Sequence, residues 1–108
     1  MPERYQPRPP QPDGELDNQP LFQLGRLVAT PGALRACADA DTDPSTYVYR
    51  HSCGNWGDLD PEDKSANNWA VEHGARILSA YKLPSEVRVW IITEADRSAT
   101  TLLLPEEY

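Results

Sequence analysis

Apolar residues occur in short groups separated by Pro-, Gly- and Asp-rich breaks, and each group carries its own period. Leu21 to Ala29 predicts a first strand, with Phe22, Leu24 and Val28 turned inward and Gly25 marking a bulge or a close backbone approach. Thr30-Pro31 is a helix start, a capping hydroxyl followed by proline at the first helical position. Leu34, Cys37 and Ala38 then share one face of a short helix. Asp43-Pro44 repeats that signal. The stretch Ser45 to Cys53 reads two ways, because Thr46, Tyr47, Val48 and Tyr49 favour strands while the cap favours a second helix closing at Gly54. The cap decides for helix. Asp60-Pro61-Glu62-Asp63 is the third start, with acidic residues matched to the helix dipole. Ala66, Trp69, Ala70 and His73 follow i, i+3, i+4, i+7 and are expected to face the core, with Gly74 ending the helix.

The period then changes to two. Ile77, Ser79 and Tyr81 alternate with Leu78 and Ala80, and Leu83-Pro84-Ser85-Glu86 reads as a turn. Val87, Val89 and Ile91 point one way while Trp90 and Ile92 point the other, which marks a central strand covered on both sides or an interface. Ala99 to Leu104 forms the last strand, stopped by Pro105. The order β-α-α-α-β-β-β defines an α+β fold, with short helices packed on one face of an antiparallel sheet.

Composition narrows the picture. Six of the eleven prolines lie in residues 1–20, so this segment is expected to be an extended or disordered arm, and residues 21–108 form the single folding unit. The net charge of −7 opposes tracking along a nucleic-acid backbone and suits a protein partner instead. Cys37 and Cys53 are the only cysteines, and no apolar run reaches membrane-spanning length. Reduced thiols, no membrane association and a cytoplasmic location are the expectation.

Candidate chemistry is sparse. Thr93 to Thr101 gathers Glu94, Asp96, Arg97 and Ser98 between two apolar runs, at the tip of a hairpin. Such loops carry binding groups on a rigid frame, and the same residue types also build plain turns. With Ser79, Tyr81, Thr100 and Thr101 they would make a polar patch at one sheet end. In the compact loop Gly54 to Leu59, Trp56 and Asp58 are candidates for partner contact, as is Trp90 on its strand. His51 and Cys53 lack the C-x₂₋₄-C spacing of a zinc site, and no phosphate loop, dinucleotide fingerprint or serine elbow is present. No metal, cofactor or catalytic residue is therefore expected.

Several runs are nevertheless familiar. Gly54-Asn55-Trp56-Gly57-Asp58-Leu59, Gly74-Ala75-Arg76-Ile77-Leu78-Ser79-Ala80-Tyr81 and Trp90-Ile91-Ile92-Thr93-Glu94-Ala95-Asp96-Arg97-Ser98 resemble short "plasmid-related" proteins of bacterial plasmids and integrated elements. The similarity continues to Leu103-Leu104-Pro105-Glu106-Glu107-Tyr108, and this chain has Asn55 where the group usually has Asp. The resemblance implies an accessory protein of a mobile element. With the acidic charge it points to protein binding, in one version as a counter-defence factor that blocks a DNA-binding face. Two rival expectations stand beside it. One is a ribonuclease toxin of RelE/ParE-like element order using His73, Arg97 and Glu94. The other is a homo-oligomerising module built on the Trp90–Ile92 face.

Overall fold

A computed structural model describes residues 20–108, so the proline-rich arm lies, but for Pro20, outside the described residues. Each of the three Thr/Asp-Pro signals starts a helix: α1 Pro31–Asp39, α2 Pro44–Ser52 and α3 Pro61–His73. The Thr30 hydroxyl accepts the Ala33 N–H at 3.0 Å, the Asp43 carboxylate accepts that of Ser45 at 3.0 Å, and Asp60 accepts that of Asp63 at 2.9 Å. Such caps contribute about 1 kcal/mol each. The Tyr47–Tyr49 stretch is thus helical, its cap outweighing its strand preference. Gly74 closes α3 in the left-handed region at φ 71°.

The strands are β1 Arg26–Ala29, β2 Ile77–Lys82, β3 Arg88–Thr93 and β4 Ala99–Leu103, in the order β1-β4-β3-β2. β2, β3 and β4 form the antiparallel meander read from the sequence, with β3 central. β1 joins β4 in parallel, pairing Arg26 with Ala99 and Ala29 with Leu102. The sheet is therefore mixed, where an antiparallel one was expected. The cause is the chain path: the helices intervene, and β1 lands beside the last strand instead of the next one.

β1 is also shorter than expected. Gly25 sits at φ 66°, and a Cβ there would lie 2.4 Å from the Arg97 carbonyl oxygen. The backbone turns at this point, so Phe22 and Leu24 leave the sheet; Phe22 is buried and stacks on Trp56. Val28, expected inward, is 41% exposed.

Two apolar clusters share the core. In one, Ala33 and Cys37 of α1 and Tyr47 of α2 cover Tyr81, Val89, Ile91 and Leu102 on one sheet face. In the other, Phe22, Trp56 and Ala70 enclose Ile77. α3 buries Asn67 and Ala70, while Trp69 is 57% exposed and His73 is exposed, contrary to the core face expected from their spacing. Their rings stack flat on each other, 4.2 Å apart and 9° from parallel, sheltering some apolar surface along the outer helix.

The free edge of β2 is covered. Asn67 donates to the Leu78 carbonyl at 2.7 Å and accepts its N–H at 3.2 Å. One residue pair further, the Ala80 N–H bonds the Trp56 carbonyl, and the Ala80 carbonyl accepts the Asp58 N–H. No helix among the described residues is long and apolar enough to cross a membrane.

Candidate binding groove

The Glu94–Ser98 cluster does form the β3–β4 turn. Its polar groups hold the turn together. Asp96 accepts the Ser98 N–H at 3.0 Å, and bonds from Ser98 hold its carboxyl below the usual range. Arg97 takes a left-handed backbone at φ 61° and folds its guanidinium inward. Nη2 donates to the Ala70 carbonyl at 2.8 Å, and Nη1 to the carbonyls of Ala75, Glu94 and Ala95 at 2.7, 3.1 and 3.2 Å. Arg97 thus clasps the end of α3 to the hairpin, adding a charged donor to the Ala70 carbonyl that already closes the helix with the Gly74 N–H, and holding the Ala75 carbonyl just beyond it. Glu94 and Ser98 remain exposed, and His73 donates from Nδ1 to the Trp69 carbonyl at 2.9 Å on the outer side of α3. Arg97 accordingly carries a structural duty, and its removal tests stability before it tests binding.

Trp56 is buried at 4% exposure, donating from Nε1 to the Asn68 side-chain oxygen at 3.0 Å. It plugs the second cluster and does not project to solvent as an anchor. Tyr81 is buried too: its hydroxyl donates to the Asn55 carbonyl, and burial pushes its pKa up to about 12.

The most ordered polar chemistry lies where the sequence suggested little. His51 is fully buried between sheet hydroxyls, Nδ1 2.6 Å from Ser79 Oγ and Nε2 2.9 Å from Thr93 Oγ1. The chain of bonds sets the tautomer. Thr100 donates its only hydroxyl proton to the Leu24 carbonyl at 2.7 Å, so it accepts from Thr93, also at 2.7 Å. Thr93 in turn accepts from His51 Nε2–H, which leaves Nδ1 to accept from Ser79. The arrangement places a hydroxyl on a histidine, as in a nucleophile–base pair, but both are fully buried and the third group is a hydroxyl, not a carboxylate. Burial drives the His51 pKa down to about 3. The network fixes α2 to the sheet, and it occupies both ring nitrogens, leaving none for Cys53. Of the polar patch expected at one sheet end from Ser79, Tyr81, Thr100 and Thr101, Ser79 and Thr100 belong to this interior chain, whereas Tyr81 bonds Asn55 and Thr101 lies half-buried outside it. A sequence signal existed: hydroxyls replace apolar residues at inward positions of all three meander strands.

Two of the sequence candidates do meet at a surface. A groove of about 530 Å³ runs between α3 and the sheet face opposite α1 and α2. Leu78, Ala80 and the half-buried Trp90 form its floor, and Asp63, Ala66 and Asn67 of α3 form one wall. Arg88 and Pro105 stand on the other side, and Asp58 closes one end, 3.7 Å from Arg88. The Tyr108 ring meets Trp90 edge-on at 5.7 Å and limits its movement. The floor is apolar and the rim is charged, which suits a side chain with an apolar body. Among the described residues, no cluster of three or more His, Cys, Asp or Glu side chains is placed to hold a metal ion.

Comparison with known proteins brings no relative: no family model, no curated protein and no solved structure matches this chain.

Proposed function

We propose that this protein acts by binding another protein, through the groove floored by Leu78, Ala80 and Trp90. The observation that carries this reading is an open apolar floor holding a half-buried tryptophan within a charged rim. Aromatic side chains in such settings dominate association energies. Asp58 and Asp63 line the groove, and the chain has a net charge of −7, so the fitting partner segment carries an apolar anchor beside Lys or Arg. The polar groups best suited to catalysis are engaged elsewhere, Arg97 on four carbonyls and His51 inside the core. The resemblance of Gly54–Leu59 and Trp90–Ser98 to plasmid-related proteins supports a role as an accessory of a mobile element, with counter-defence as its most specific version.

The test is affinity capture from a bacterial lysate with the wild type and with Ala66→Trp, which fills the groove from an exposed position. A stoichiometric partner lost in the variant, with the circular dichroism spectrum unchanged, is the expected result. Equal capture by both proteins would refute the groove. Unchanged restriction and interference of incoming DNA on expression would remove the counter-defence version. RNA cleavage by the purified protein would move the assignment to a ribonuclease.

A further inference from the structure

The two edges of the sheet are treated oppositely. At β2, the outward backbone groups of Leu78 and Ala80 are taken by Asn67 and by the Trp56–Asp58 loop. At β1, Arg26 and Thr30 donate inward to Ser98 and Leu102, so the N–H and C=O groups of Leu27 and Ala29 point away from the sheet. No described residue pairs with them. Apart from its shortness and Arg26 this edge is unprotected: it has no proline and no inward charge, and its middle residues are Leu27, 58% exposed, and Val28, 41% exposed.

We infer that the β1 edge pairs with the β1 edge of a second copy of this chain, in antiparallel register about a two-fold axis at Val28. Antiparallel partners keep side chains on the same face, so the registry must match odd positions with odd and even with even. With Val28 opposite Val28, Leu27 stands opposite Ala29 of the second copy. Those two positions exchange two hydrogen bonds on each side of the axis, four in all, which uses every outward N–H and C=O of both copies. The side chains agree with the backbone. The two Val28 side chains meet on the groove face, and small Ala29 leaves room for the incoming Leu27. An apolar recess of about 320 Å³, lined in part by Ala29, Val48 and Leu102, lies beside that position.

Charge favours the same register. Arg26 falls opposite Thr30 of the second copy, whose hydroxyl donates to Glu107 at 2.7 Å. That carboxylate is exposed, and its bonds to Leu104 and Thr30 hold it below the usual range and hence ionised. Each copy thus offers one guanidinium to one carboxylate of the other, and no like charges are opposed. Because the β2 edge is already covered, the pairing closes at two copies and does not propagate into fibres.

Sedimentation of the full chain over about 1–300 µM measures the assembly, the range in which small interfaces dissociate. The wild type is expected to reach twice its 12.1 kDa mass. Val28→Lys, an exposed position, is expected to raise the dissociation constant roughly tenfold or more by setting two ammonium groups against each other. Val28→Cys should form a disulfide-linked dimer on mild oxidation, since facing residues at such a pair lie about 4.5 Å apart at Cα. Leu27→Cys should not, its two copies being roughly 7–8 Å apart. A wild type that stays monomeric, with the edge left to its own N-terminal arm or to a foreign strand, overturns the inference. So does a dimer indifferent to Val28→Lys, or one that links through Leu27→Cys instead.

Discussion

Acid should loosen this domain through one residue. His51 is fully buried and neutral in the fold, its pKa pushed down to about 3 from the 6.5 of a free imidazole. Its folded pKa is depressed, so the unfolded chain binds the proton more readily and stability falls as pH drops below 6.5. Each pH unit below that point removes about 1.4 kcal/mol, and the loss reaches about 2 kcal/mol at pH 5. A domain of this size has only about 5–15 kcal/mol in all. Asp43, Asp96 and Glu107 are held below their usual values by hydrogen bonds, and their contribution fades only at more acid pH. The interval from pH 7.5 to 5.0 therefore belongs to histidine. Urea unfolding of wild type and His51→Gln at both pH values gives the comparison, and the wild type alone should show the loss from this site. If the variant does not fold, nitrogen-15 NMR of the wild-type ring serves instead. It should report an Nε2–H tautomer that does not titrate above pH 5. A ring that titrates near 6.5, or that carries its proton on Nδ1, would refute the buried relay from Ser79 to Leu24.

Two further outcomes follow from the packing. Arg97→Ala removes the guanidinium that ties the Ala70 and Ala75 carbonyls at the end of α3 to the Glu94 and Ala95 carbonyls of the turn and should cost roughly 2–3 kcal/mol, read as a fall in thermal midpoint, with Arg97→Lys recovering only part. Gly57→Ala places a Cβ 2.0 Å from the Ala80 carbonyl oxygen at φ 79°, so it should lose at least about 2 kcal/mol in the same assay; an unchanged midpoint would contradict the close approach of this loop to β2.

Local chemistry made much of the fold legible in the sequence. Three cap-proline pairs placed the helix starts, and the alternation from Ile77 to Leu103 gave the meander with its central strand. What local chemistry does not encode is which distant segments meet. The parallel neighbour of β1, the turn at Gly25 that ends the strand, and the covering of β2 by Asn67 all depend on such meetings. The same limit governed the site. Asp58 and Trp90 were singled out and line one groove, whereas Trp56 and Tyr81 became core and Arg97 became a clasp. Trp69 misled because a helical period shows which residues share a stripe, not which stripe the core takes. Of that stripe Ala70 alone is buried, together with Asn67 beside it.

The placement of β1 also orders events in time. Its stabilising contacts span the chain: Thr100 reaches Leu24 across 76 residues, and Thr30 reaches Glu107 across 77. The meander closes through short turns, so it can assemble early, while β1 has nothing to pair with until β4 is in place. Closing so long a loop comes late in folding, and the last contacts made are the first to open. The amides of Val28 and Thr30 should therefore exchange with solvent sooner than those of Ile91 and Thr101, which face the meander, and the native protein carries at its edge the record of its slowest step.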